Sequence, residues 1–219
     1  MSDTVYVQLL GITAGVFLLA GVLMLWRREL ASIIRLFAAQ GVALAALVAV
    51  LGLHQDHPEL LGVAGGVLLL RAGVLPYLMR RALAASGEAR ETQPLVNVAA
   101  SLLAAAALTL LAYAVSQPLV ALAPSPATQA IPVGLTVVLI GLFVLATRRR
   151  ALSQVVGLLL VDNGITAIAF LATAGVPLTV ELGVSLDVLL AVLVLLVLTA
   201  RMRTAFGATD LDELRELHD

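Results

Sequence analysis

AIPVGLTVVLIGLFVLATRRRALSQVVGLLLVDNGITAIAFLATA, residues 130–174, contains two apolar runs joined by three consecutive arginines. A helix needs about 20 apolar residues to cross the hydrocarbon core of a bilayer. Ala130 to Ala146 and Leu152 to Ala174 reach or approach that length, with Arg148, Arg149 and Arg150 marking the turn between them. The second run carries an aspartate, Asp162, near its middle. Five further stretches of the same kind lie around this hairpin: Val5 to Trp26, Ala31 to Leu53, Leu60 to Met79, Leu95 to Val115 and Leu178 to Thr199. The chain therefore reads as all-α, a polytopic membrane protein of about seven transmembrane helices. The first span lacks a basic start and a small-residue cleavage site, so it reads as a retained helix and not a signal peptide.

Composition agrees with this count. Of 219 residues, 61% are hydrophobic and 12% charged, against roughly 45–50% and 25% in soluble domains. Such a chain cannot cover its apolar surface in water. Leu, Val, Ala and Gly dominate, which suits helices whose backbones approach closely in lipid. The absence of cysteine removes disulfides, thiolate metal sites, iron–sulfur ligation and a thiol nucleophile together. The net charge of -1 points to no nucleic-acid partner.

Charge placement is more informative than charge total. All thirteen basic residues are arginines, and twelve fall in or beside alternate connections, at 27, 28 and 35, at 80, 81 and 90, at 148–150, and at 201, 203 and 215. The connections around His54 to Glu59, Pro118 to Gln129 and Gly175 to Pro177 hold none. The positive-inside rule then puts the amino terminus outside the cell (inner) membrane and the carboxyl terminus in the cytoplasm, as an odd helix count requires.

A shift of 122 residues lays Arg27, Arg28 and Leu30 on Arg149, Arg150 and Leu152, and Gln40 on Asp162. The expected organisation is an amino-terminal membrane unit of four helices (1–115), an extracytoplasmic connection (116–129), a three-helix unit (130–204) and an acidic cytoplasmic tail (205–219). The two three-helix units of the repeat point the same way, unlike the inverted repeats of many secondary transporters. Ala84 to Gln93 reads as a polar cytoplasmic loop, and Pro118 to Thr128, with three prolines, as a turn-type connection.

Ionisable groups inside spans are costly and by default mark ion or proton routes or partner contacts. At 1.5 Å per residue, Asp162 stands about 16 Å above Ala151, Asp187 about 21 Å above Arg201, Arg71 about 13 Å above Arg80 and Gln40 about 18 Å above Arg28. One mid-membrane layer holds all four. A carboxylate there is either protonated or kept charged by an arginine or water partner, and two such acids can share a proton. A purely structural pair needs only one acid for Arg71, so the second acid favours a relay. Glu181, about 30 Å above Arg201, falls at the outer interface and is a weaker member.

His54, Asp56 and His57 have metal-ligand chemistry, but nothing nearby closes a tetrahedral site, and they read as a surface loop. HExxH, GxSxG, P-loop and dinucleotide fingerprints are missing, so no catalytic residue, metal or cofactor is assigned to this chain. Gly62, Gly65 and Gly66 give helix three a small-residue face suited to helix packing.

The runs RRRALSQVVGLLLVDNGI (148–165), GVPLTVELGVSLDVLLAVLVLL (175–196) and FGATDLDELRELHD (206–219) resemble hydrogenase-4 component E. That family is related to the K subunit of complex I and the C subunit of multisubunit cation/proton antiporters. QGVALA (40–45) and LLLRAGVLPYLMRR (68–81) extend the resemblance more loosely into the first half. The resemblance implies a K-subunit-like carboxyl-terminal three-helix unit and a place in the membrane arm of a complex-I-like or group 4 nickel–iron-hydrogenase-like assembly. It also implies that buried acids couple redox chemistry in other subunits to proton or cation movement. Asp162, Asn163 and Gly164 match the family's acid-Asn-Gly motif, where the acid is usually Glu. Asp187 matches the acid of the last helix, and Arg71 stands where the family often has lysine. Arginine gives up its proton far less readily than lysine, which argues against proton donation by Arg71.

The expected function is thus a non-catalytic subunit beside antiporter-like and other membrane subunits, with Asp162, Asp187, Arg71, Gln40, Asn163 and Glu181 along a proton path. A stand-alone secondary transporter and a structural scaffold of the membrane arm are the rival readings.

Overall fold

The computed structural model describes residues 1–86 and 96–173, together with Leu189, Ala191, Val192, Leu193 and Leu195. Among these residues six helices are long and apolar enough to cross a membrane, and the protein is an all-α, multi-pass membrane protein. We label them α1 (Asp3–Trp26), α2 (Leu30–Gln55), α3, α4 (Val98–Leu122), α5 (Ile131–Thr147) and α6 (Ala151–Thr173). The helix α3 is α-helical over Pro58–Val67, π-helical over Leu68–Val74 and α-helical again over Leu75–Ser86. The last expected span and the acidic tail lie outside the described residues, apart from the five positions above.

Local chemistry sets the helix ends. Between α2 and α3, Asp56 takes the left-handed conformation (φ 55°) that closes a helix carboxyl end, and Pro58 opens the next helix where its missing N–H costs nothing. Asn97 caps α4 by accepting a 2.8 Å hydrogen bond from the Ala100 amide. A 3-10 turn, Thr128–Ala130, leads into α5 and lengthens an otherwise short span.

Two boundaries differ from the sequence expectation. The helix α4 continues through Pro118 to Leu122, so the connection to α5 begins at Ala123 and not at residue 116. Near a helix end a proline removes a single ladder bond, which a membrane helix tolerates when neighbouring groups take up the freed acceptor. The helix α3 likewise runs through Ala84 to Ser86, shortening the expected cytoplasmic loop.

The α1–α2 and α5–α6 hairpins form the centre, with α3 against α2, and α4 against α5 and α1. Phe17, Phe37, Leu44, Val137, Leu159 and Phe170 are completely buried between them. In α5–α6 the backbones nearly touch, since a Cβ on Gly164 would stand 2.7 Å from the Gly134 carbonyl oxygen. Outward, Leu103, Leu110 and Leu122 of α4 are 73%, 73% and 81% exposed, as lipid-facing side chains are. Gly62 and Gly65 of α3 also face outward with nothing within 4 Å of a Cβ placed there, so these two glycines of the expected packing face meet no described residue.

The hairpins lie side by side with the same orientation. At their turns Arg148 Nη2 donates to the Leu25 carbonyl (3.2 Å), and at mid-depth Asn163 Nδ2 donates to Gln40 Oε1 (3.0 Å). Arg27 and Arg148 end α1 and α5 in matching extended conformations, bonding back to the Leu23 and Val144 carbonyls. Leu30 and Ala151 then begin α2 and α6. Arg27 and Arg148, Leu23 and Val144, and Leu30 and Ala151 are each 121 positions apart, so the two turns correspond at a shift of 121 and not the expected 122. The arginine runs misled that alignment because the first turn has two arginines and the second three.

Candidate functional site

The interior polar layer is built on α3. Its π-helical segment closes with the Leu75 amide bonded to the Leu70 carbonyl, a five-residue step that widens the helix around Arg71. Such segments are rare and concentrate at functional sites. Gly41 of α2 lies directly behind this segment, and only its lack of a side chain lets the two backbones come so close. A Cβ there would be 2.8 Å from the Arg71 carbonyl carbon and oxygen. Arg71 is thereby sunk to 1% exposure, its guanidinium directed at α6.

Three α6 side chains receive that guanidinium. Arg71 Nη1 donates to Asp162 Oδ2, making an ion pair, and also to Asn163 Oδ1, while Nη2 donates to Thr166 Oγ1 at 2.8 Å. Charge-assisted bonds of this kind are the strong ones, and at low dielectric a charge must have them. The Asp162 side chain is 12% exposed against 2% for Arg71, so the acid is at the edge of the cluster and the cation at its centre.

The network runs on through amides. Asn163 Nδ2 donates to Gln40 Oε1, and Gln40 Nε2 donates to the Phe17 carbonyl at 3.3 Å. Gln40 and Asn163 are both fully buried. One connected set of polar groups therefore crosses α1, α2, α6 and α3 in the middle of the membrane.

Four of the six residues expected from sequence, Gln40, Arg71, Asp162 and Asn163, thus meet in one cluster. Asp187 and Glu181 lie outside the described residues. Thr166 and the Phe17 carbonyl escaped sequence reading. Thr166 had a usable signal, since it stands four residues after Asp162 on the same helical face. The Phe17 carbonyl had none, being a backbone group whose role depends on which helix packs beside it.

His54 is not in a loop, as expected, but in the last turn of α2, where its ring stacks on Tyr6 of α1 at 3.8 Å between centroids. Asp56 is the helix cap and His57 precedes α3. No group of three metal-ligating side chains occurs among the described residues.

Chemically, the cluster offers a fixed cation, a carboxylate able to hold a proton beside it, and two amides that transmit orientation. It contains no nucleophile–base pair of the kind covalent catalysis uses.

A protein of Mycobacterium tuberculosis, described as Uncharacterized protein Rv0085, is 53% identical over 220 residues, spanning 100% of both chains. Hydrogenase-4 component E of Escherichia coli K12 is 26% identical over 181 residues, 83% of this chain and 84% of that protein. The same component of Shigella flexneri has the same values. The likeness to component E is distant and supports a family relationship at that level. Neither a family model nor a solved structure matches the chain.

Proposed function

The chain belongs to the family of the Mycobacterium tuberculosis protein Rv0085, and we propose that it is a non-catalytic membrane-arm subunit of a complex-I-like or group 4 nickel–iron-hydrogenase-like assembly. In this role it contributes buried acids to proton or cation translocation that is coupled to redox chemistry in other subunits. The observation that carries the proposal is the Arg71–Asp162 pair sealed among Asn163, Thr166 and Gln40 at mid-membrane depth. A charge pair there needs a purpose, because apolar residues of similar volume hold helices together at no desolvation cost. The distant likeness to hydrogenase-4 component E along most of the chain supports membership of a multisubunit assembly.

On this reading Asp162 and Asp187 carry the proton and Arg71 is a standing positive charge. Gln40 and Asn163 order the polar layer, and Glu181 stands at the outer end. The amino terminus faces outward, the carboxyl terminus faces the cytoplasm, and antiporter-like subunits are the neighbours.

The test is Asp162→Asn and Asp187→Asn, separately, in the assembled complex. Assembly with lost or sharply reduced ion pumping is expected, and unchanged pumping and turnover would end the proposal. The bond between α3 and α6 through Arg71 favours one second reading, a scaffold without ion traffic. Under it the same variants assemble poorly, and whatever complex forms has normal coupling.

A further inference from the structure

The described contacts of Arg71 are of two kinds. Asp162 is an acid that can gain or lose a proton, whereas Asn163 and Thr166 are neutral acceptors that stay acceptors whatever Asp162 does. The neutral pair touches both ends of the guanidinium, Asn163 at Nη1 and Thr166 at Nη2. Together they engage both terminal nitrogens and set the direction of the planar group.

The orientation of Asn163 is itself determined from the two ends of the network. The Phe17 carbonyl can only accept, so Gln40 must present Nε2 to it and turn Oε1 toward α6. Asn163 must then give Nδ2 to Gln40, which leaves Oδ1 for Arg71, and a guanidinium can only donate. Flipping either amide would set donor against donor or acceptor against acceptor. The backbone of α1 thus dictates, through two amides, that Arg71 meets an oxygen.

We infer that Thr166 is a positioning residue which, with Asn163, holds the Arg71 guanidinium in place independently of Asp162. Protonation of Asp162 then leaves the cation where it was, and Arg71 is a fixed electrostatic landmark while Asp162 is the exchangeable partner. The inference deepens the proposed proton-path reading and rests on it for its consequence. The geometry, however, can be examined on the chain alone.

The experiment uses the full chain in lipid nanodiscs with nitrogen-15-labelled arginine. The two Nη resonances of Arg71, assigned by their loss in Arg71→Lys, are distinct when the guanidinium is held at both ends and merge when it rotates freely. Wild type and Asp162→Asn should both keep them split. With the carboxylate removed in Asp162→Asn, adding Thr166→Val, which preserves shape and removes the hydroxyl, should collapse the splitting, and adding Thr166→Ser instead should keep it. Collapse in Asp162→Asn would mean that the carboxylate holds the cation, and persistence in the Asp162→Asn, Thr166→Val double variant would mean that the hydroxyl does not. Either result overturns the inference. Loss of pumping is measured separately on the complex, so failure of the positioning role and failure of the proton-path reading cannot be confused.

Discussion

Gly41→Ala tests whether the polar layer depends on close backbone approach. The added Cβ would lie 2.8 Å from the carbonyl carbon and oxygen of Arg71 and 2.9 Å from the Ala72 nitrogen. Those are backbone atoms of a π-helical segment, so no side chain can swing aside, and α2 must move away from α3. Two effects compete. Alanine in a helix interior gains roughly 1 kcal/mol over glycine, and overpacking a tight contact costs roughly 1–3 kcal/mol. Gly11→Ala in α1 supplies the first effect without the second, because nothing lies within 4 Å of a Cβ there. The difference between the two variants therefore isolates the clash, and Gly41→Ala should be less stable than Gly11→Ala by about 1–3 kcal/mol. Moving α3 outward also draws Arg71 from its α6 acceptors, which pushes the difference toward the upper end. The assay is reversible unfolding of the purified chain in mixed micelles as the fraction of denaturing detergent rises. Equal stability of the two variants would refute the account of why glycine occupies position 41.

Removing one partner of the buried pair should cost more than exchanging both for apolar residues. Arg71→Met should destabilise by about 3–5 kcal/mol in the same assay. Arg71→Met with Asp162→Leu should recover part of that loss, since Asn163 and Thr166 still lack a donor at about 1–3 kcal/mol each; strictly additive losses would contradict the pairing. The chain has no cysteine, so single cysteines report its orientation directly. Pro126→Cys should react with an impermeant maleimide in intact cells and Ala84→Cys only after lysis, and the reverse pattern would invert the topology. Pro118→Ala, by restoring one ladder bond in α4, should leave stability unchanged or raise it by about 1 kcal/mol, and a clear loss would show that the proline is needed there.

The fold was legible because lipid imposes a simple grammar. Apolar runs of fixed length are joined by turns of which every second one carries arginines, and α1, α2, α3, α5 and α6 fall where those signals put them. The signals blur where a residue has two meanings. Pro118 reads as a turn residue in water but is tolerated inside α4, and His54 reads as a loop histidine but packs its ring on Tyr6. The depth of Gln40, Arg71 and Asp162 was also legible, because helical rise converts sequence distance from an arginine turn into height. Which of them touch was not, since height says nothing about azimuth. That depends on the π-helical segment, which alters the direction of every residue after it, and on Gly41, whose role is visible only once α3 lies against it.

The two hairpins also explain why one polar cluster forms and not two. In the register of 121, the α2 position equivalent to Asp162 is Gly41. Both meet the same residue, Asp162 at the Arg71 guanidinium and Gly41 at the Arg71 backbone. A symmetric pair of hairpins would present either two acids to one arginine or two bare backbones to a helix with nothing to bind. Here one hairpin holds the charge and the other makes the room. Gln40, next to Gly41, meets Asn163, next to Asp162, so the amide contact joins the neighbours of the two diverged positions. The unlike pair Gly41 and Asp162 lies at mid-depth, while the arginine turns keep their common geometry. The common turn geometry sets the two hairpins side by side, and the unlike residues at mid-depth let one arginine be seated by its backbone on one hairpin and by its side chain on the other.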